Sequence, residues 1–399
     1  MVKVYVVGTM DTKAAELRYA AAQVRNAGGE PVLVDVGTQE AGEGADVAAS
    51  VVATHHPDGK EALVGLGDRG VAVSAMAKAL THFLTSRTDI GAVLGLGGTG
   101  NTALVTEAMR ALPIGVPKVM VSTVASGNTA PYVGSNDLTM IYSVVDIAGL
   151  NAISRKVIGN AAHAAAGMAL NAVPVSLADK PGLGMSMFGV TTSCVTMVRE
   201  QMEKTHEVYI FHATGSGGQS MEKLADSGLV AGLIDVTTTE VADLLIGGVF
   251  PATEDRFGAI IRTKLPYVGS VGAVDMVNFG AMDSVPPQFR DRRLHVHNAQ
   301  VTLMRTTPEE NCRIGEFIVS RLNRMQGPVR FLLPLRGVSA IDAPGQPLYD
   351  PKADAALFDT IRSGWQAAPN RELIELDLHI NEPAFAEQLV RNFRNIAQL

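Results

Sequence analysis

Short apolar runs alternate along the chain with segments whose apolar residues recur every three or four positions, the signature of strands alternating with helices. Val2 to Val7 reads as a strand, followed by the polar turn Gly8-Thr9-Met10-Asp11-Thr12-Lys13 and a helix carrying Leu17, Ala20, Ala21 and Val24 on one face before Gly28-Gly29 stops it. Val32-Leu33-Val34 is a second strand, ending at Asp35, Gly37 and Thr38. The segment 39–69 resists assignment, and a helix is expected over about 71–86. Ala92-Val93-Leu94 is a buried strand that runs into Gly95-Leu96-Gly97-Gly98-Thr99-Gly100-Asn101-Thr102, which opens a further helix. Lys118 to Thr123 and Thr139 to Val145 read as strands, and an Ala-rich helix spans about 149–172.

Val173-Pro174 and Asp179-Lys180-Pro181-Gly182 read as a linker, after which the same grammar restarts. Strands are expected at Met185 to Val190, Val208 to Phe211, and near 230–236, 267–273, 330–334 and 373–379, with a final amphipathic helix carrying Phe385, Leu389, Phe393 and Ile396. The pattern predicts two open α/β domains with parallel sheets, 1–176 and 182–399, sharing architecture without a residue-level repeat. Ligands of such sheets sit at the carboxyl ends of strands, and a ligand cleft between the domains is expected.

Composition narrows the partners. With 33 basic and 40 acidic residues the net charge is −7, and no Lys/Arg run forms a stripe that would track phosphates, so nucleic acid is not an expected partner. No run is long and apolar enough to span a membrane, and no signal peptide opens the chain. The two cysteines, Cys194 and Cys312, exclude a disulfide framework and fit a cytoplasmic location. Cys194, just inside a helix start, reads either as a buried small residue or as a thiol of lowered pKa.

The glycine turn at 95–102 is the strongest local signal. A glycine-dense strand end that opens a helix presents unpaired N–H groups to an anion such as phosphate. Gly95, Gly97 and Gly100 match G-x-G-x-x-G, although glycines serve tight packing equally well. No Lys follows in the Walker position, and the strand 118–123 does not end in the acid of an ordinary dinucleotide site. Gly8, Thr9, Asp11, Thr12, Lys13, Asp35, Gly97, Gly98, Thr99, Gly100, Asn101, Ser122 and Thr123 together suit Mg-nucleotide binding. Hydroxyls and N–H groups would hold phosphate, Lys13 would add a point charge, Asp35 would meet a ribose, and Asp11 would lie near Mg²⁺. Thr9, Asp11 and Thr12 also fit helix caps, and Ser122 and Thr123 ordinary turns.

The second half is richer in titratable groups at strand ends: His212, Glu240, Asp275, Asn278, His295, His297, Asn298, Asp342, Asp350, His379 and Asn381. His212, Glu240 and Asp342 form the candidate catalytic set, with Glu240 as general base or metal ligand. The alternative for Glu240 is a capping box with Thr237. His295 and His297, two apart on a strand, would face one side of it and could bind a metal with His379; a structural role for each competes.

The chain resembles the Tm-1-like ATP-binding domain family. The match is carried by 8–13 and 95–100 as quoted, Ser122-Thr123-Val124-Ala125-Ser126-Gly127, Phe188-Gly189-Val190-Thr191-Thr192, Phe211-His212-Ala213-Thr214-Gly215, Asp235-Val236-Thr237-Thr238-Thr239-Glu240-Val241-Ala242-Asp243, Asp275-Met276-Val277-Asn278-Phe279-Gly280 and Gly337-Val338-Ser339-Ala340-Ile341-Asp342-Ala343-Pro344-Gly345. The resemblance implies two Rossmann-like domains, ATP on the first, and a homodimer. The polar set at the second domain's strand ends favours a metabolic enzyme that uses Mg-ATP on a small oxygen-rich metabolite in the cleft between the domains; the alternative is a non-catalytic ATP-dependent protein-binding module.

Overall fold

The structure is a computed structural model that describes residues 3–38, 44–63, 68–174 and 180–397. The chain divides into two compact units, Met1–Val175 and Ser176–Leu399.

The first unit runs β1 (Lys3–Gly8), α1 (Met10–Asn26), β2 (Glu30–Asp35), α2 (Ala49–Ala53), a 3-10 turn at Lys60–Leu63, α3 (Arg69–Thr85), β3 (Ile90–Gly97), α4 (Thr99–Ala111), β4 (Lys118–Ser122), α5 (Ala130–Val133), β5 (Thr139–Tyr142) and α6 (Ala152–Leu170). Its sheet is parallel throughout, in the order β2-β1-β3-β4-β5. That order is doubly wound: the connections leave β1 and β3 on opposite faces, and the switch opens a crevice between the two strand ends. Central strands of a parallel sheet are covered on both sides and read as unbroken apolar runs, as at Val4 to Val7 and Ala92 to Leu94, all 0–1% exposed. One face packs α1 and α6 and the other α3 and α4. The Ala-rich α6 turns Ala161, Ala162, Ala165 and Ala166 onto this core. The unassigned 39–69 segment holds α2 and the 3-10 turn, and its residues 39–43 and 64–67 lie outside the described ones.

The second unit runs β6 (Gly182–Met187), α7 (Thr192–Met202), β7 (Glu207–His212), α8 (Ser216–Asp226), β8 (Gly232–Thr237), α9 (Thr239–Ile246), α10 (Gly258–Thr263), β9 (Tyr267–Gly272), β10 (Met276–Phe279), β11 (Leu294–Asn298), β12 (Val301–Arg305), α11 (Pro308–Leu322), β13 (Val329–Pro334), α12 (Pro351–Gly364), β14 (Arg371–Leu376) and α13 (Pro383–Ile396). Six strands form a parallel sheet in the order β14-β13-β9-β8-β6-β7, again doubly wound, with its switch between β6 and β8. Between β9 and β13 the chain inserts a small antiparallel sheet, β10-β12-β11, which the alternation did not predict. The amphipathic α13 buries Phe385, Leu389 and Phe393 against this unit's core. Among the described residues no helix is long and apolar enough to cross a membrane.

Candidate functional site

The first unit's switch point holds a pocket of about 330 Å³. Its walls are the β1–α1 turn (Thr9, Asp11, Thr12, Lys13), the β3–α4 turn (Gly98, Thr99, Gly100, Asn101), and Val36, Thr38, Arg69, Val73 and Leu104. Gly98 is the N-cap of α4 and no side chain caps that helix, so its leading N–H groups point at the cavity. The neighbouring glycines divide the work. A Cβ at Gly98 would have its nearest neighbour, Thr123 Oγ1, at 3.8 Å, and one at Gly100 would meet nothing within 4 Å. A Cβ at Gly97 would lie 2.5 Å from Asn101 Cβ, and one at Gly95 2.5 Å from the Met120 sulfur. Gly95 and Gly97 therefore exist for packing, and Gly98 and Gly100 leave the mouth clear.

The polar lining is part satisfied and part open. Thr9 Oγ1 and Thr12 Oγ1 share a hydrogen bond of 3.0 Å, and neither caps α1. Lys13 lines the pocket while its ammonium donates to the Ile147 carbonyl, and its φ of −135° breaks the helical geometry of α1. Asn101 Nδ2 donates to the Leu96 carbonyl. Asp11 Oδ1 and Asn101 Oδ1 are buried oxygens without a hydrogen-bond partner. Buried acceptors seldom stay unpaired, and both of these belong to residues that line the cavity.

The remaining expected cradle residues lie behind the wall. Asp35 is fully buried, and its Oδ1 accepts from the N–H groups of Met10 (2.9 Å) and Gly37 (2.8 Å). It shapes the turn, which corrects the expectation of a ribose contact. Ser122 is also fully buried, bonded to Thr102 Oγ1 at 2.7 Å and to the Val124 N–H at 3.1 Å, and ties β4 to α4. Gly8 is a packing glycine against Leu17, and Thr123 is not part of the pocket's lining, its Oγ1 lying 3.8 Å from where a Cβ on Gly98 would stand. Arg69 is the polar lining residue that the sequence concealed: it lies in the unassigned segment, beside the N-cap Asp68 of α3, with no periodicity to mark it.

The second unit's candidates separate. Glu240 is fully buried; its Oε2 accepts from the Gly215 N–H at 2.8 Å and its Oε1 from Arg256 Nε at 2.6 Å. Arg256 also holds Glu222 at 2.8 Å and both oxygens of Asp235, at 2.9 and 2.8 Å. Burial raises the pKa of Glu240 and Glu222 against the opposing pull of Arg256. The N-cap of α9 is Thr238 and no side chain caps it, so Glu240 forms no capping box with Thr237. The second glycine-rich turn belongs to this network: a Cβ at Gly218 would strike the Glu240 carboxylate, 1.8 Å away. Asp342, also buried, accepts from the Val338 N–H at 2.9 Å and sits 3.8 Å from Arg305. His212 is exposed at its edge, its ring 4.9 Å from that of Phe188, and partial burial lowers its pKa.

His379 Nε2 donates to the Ser339 carbonyl at 2.9 Å, and Nδ1 accepts from the Asn381 N–H at 3.1 Å. His295 and His297 lie on β11. Among the described residues no group of three or more His, Cys, Asp or Glu side chains is placed to hold a metal ion. Asn278 bonds Asp243, Asp350 caps α12, and Asn381 links Val190 to Cys194, all structural work. Burial pushes the Cys194 thiol up to about 12, which decides for the inert reading of that residue.

Models of an uncharacterised protein family, UPF0261, match both units: its N-terminal domain over residues 2–174 and its C-terminal domain over 180–397. The chain belongs to the UPF0261 family. A UPF0261 protein of Rhizobium meliloti is 54% identical over 397 residues, covering all of both chains. One of Clostridium tetani is 42% identical over 401 residues, 99% of each. The ToMV resistance protein Tm-1 of tomato is 42% identical over 420 residues, which span 99% of this chain and 56% of that protein. The Tm-1-like resemblance of the sequence is therefore a family relationship along nearly the whole chain.

Proposed function

We propose that the N-terminal unit binds a Mg-nucleotide, ATP or ADP, with phosphate oxygens on the leading N–H groups of α4. The observation that carries this reading is one pocket lined both by an uncapped helix start, cleared by Gly98 and Gly100, and by Asp11, whose buried Oδ1 has no hydrogen-bond partner. Anions are stabilised at helix N-termini, and a carboxylate oxygen beside bound phosphates suits a hard divalent cation. Asp11 and Asn101 would hold Mg²⁺, Lys13 and Arg69 would supply the countercharge, and Val36, Val73 and Leu104 offer an apolar wall to the base. Bound Mg-ATP would supply a transferable phosphoryl group.

Between an enzyme and a nucleotide-dependent binding module, one observation favours the second. Glu240 and Asp342, the acids expected to act on a metabolite, are 0% exposed, and both oxygens of Glu240 are held by protein groups. The reading includes a cytoplasmic homodimer, for which light scattering should return twice the 42.0 kDa chain mass.

Mg-ATP and Mg-ADP should each raise the melting temperature, by the equivalent of about 2.7 kcal/mol at a hundredfold excess over Kd. Phosphate release from Mg-ATP should stay at background. Absence of any nucleotide shift defeats the binding reading, and phosphate release abolished by Thr99→Val restores the enzyme.

A further inference from the structure

Lys13 serves two places at once. It lines the pocket, and its ammonium donates to the carbonyl of Ile147, in the segment that follows β5. That segment is tied to α1 a second time, through the Gly149 N–H and the buried Glu16 carboxylate, at 2.6 Å. Between β5 and these ties stands Val144, whose φ is +65° and which is 57% exposed. A β-branched residue in the left-handed region is strained, and exposed Val144 has no buried packing to repay it. The turn is held by the Val145 N–H on the Ser143 carbonyl (2.7 Å) and by Ser143 Oγ on the Val145 carbonyl (2.6 Å).

We propose that Lys13 is a latch: an anion in the pocket draws its ammonium from the Ile147 carbonyl and thereby loosens residues 143–149, letting Val144 leave its strained conformation. The proposal rests on the anion-binding reading of the pocket. A phosphate is the stronger partner, because a hydrogen bond between two ionised groups outweighs one from an ammonium to a neutral carbonyl. Glu16 keeps Gly149 in place, so the change is confined to the segment between β5 and that tie. Linkage then runs both ways: whatever stabilises the latched turn weakens the anion by the same factor.

Hydrogen exchange on the full chain tests this, with pyrophosphate, Mg-ADP and Mg-ATP as probes and thermal shift as the measure of occupancy. With a probe bound, exchange across 142–150 should quicken while the first turn of α4 is protected. Lys13→Met should quicken 142–150 in the free protein. Val144→Asn, which tolerates a positive φ and lies outside the pocket, should slow it and weaken the probes about fivefold. A thermal shift with exchange across 142–150 unchanged or slowed overturns the latch and leaves the pocket standing. No shift with any probe removes the pocket reading and the latch with it. Unchanged probe affinity in Val144→Asn also overturns the latch.

Discussion

A methyl group added at Gly98 finds its nearest neighbour at 3.8 Å, whereas one added at Gly97 lands 2.5 Å from Asn101 Cβ. Gly98 also has φ −79° and ψ −170°, a backbone any residue adopts. Gly98→Ala should therefore leave stability within about 0.5 kcal/mol of the parent in urea unfolding, yet weaken nucleotide at least about tenfold by crowding the approach to the α4 N–H groups. Gly97→Ala should cost about 1–3 kcal/mol through overpacking. A Gly98→Ala protein that binds Mg-ADP as the parent does would remove the cradle from the reading. Glu240 calls for the opposite outcome. Glu240→Gln exchanges a charged partner of Arg256 for a neutral one, so it should cost about 1.5–3 kcal/mol and leave the nucleotide shift intact. A loss of binding without a loss of stability would place Glu240 at a site after all.

At the scale of elements, the parallel sheets were legible because their strands are continuous apolar runs and their helices carry a regular apolar stripe. The small antiparallel sheet was not. β11, Leu294-His295-Val296-His297-Asn298, is a half-exposed edge strand without an apolar run, and β10 has four residues between Asp275 and Gly280. The pocket's place was legible as a glycine turn at a strand end, where a doubly wound sheet opens its crevice. Which glycine faces outward depends on the packing of Asn101, Met120 and Val105, which no local pattern reveals. Thr237 and Glu240 matched the spacing of a capping box, but Thr237 is the last residue of β8, and Arg256, the true partner of Glu240, comes 16 residues later without periodic signal. Where a capping box does form, as at the start of α6, Asn151 accepts from the Ser154 N–H at 2.9 Å while Ser154 Oγ accepts from the Asn151 N–H at 2.8 Å. Asn151→Ala should lower stability by about 1 kcal/mol, read as a shift in the urea midpoint at unchanged slope.

Over the whole molecule, the two units use their switch points differently. The first keeps a pocket there; in the second, Thr191 Oγ1 and Thr237 Oγ1 close on each other at 2.7 Å. The second unit instead buries charge, setting Asp275, Asp342 and Asp354 around the single guanidinium of Arg305. Ser339 donates to Asp275, and Asp275 Oδ1 and Asp342 Oδ1 have no hydrogen-bond partner. Burial drives the Asp275 carboxyl up to about 7, with Asp342 adding to the rise, and the Asp354 carboxyl up to about 8. An unfolded Asp titrates near about 3.9, so above that pH the native state holds protons that the unfolded state has released. The native state is then favoured at low pH, and its stability falls as pH rises through about 7 and 8. His206 and His212, whose pKa values burial lowers, act in the opposite sense only below about pH 6.5, where the unfolded imidazoles become charged. Between pH 6.5 and 8.5 the carboxyl terms stand clear. The one tryptophan, Trp365, ends α12, the helix that carries Asp354, and packs on the second unit's core, so its fluorescence reports this unit. The urea midpoint read from Trp365 should fall between pH 6.5 and 8.5 by the equivalent of about 1–2 kcal/mol, and Asp275→Asn should flatten the dependence. A midpoint that rises over this range would mean that the carboxyls around Arg305 are already ionised in the folded protein.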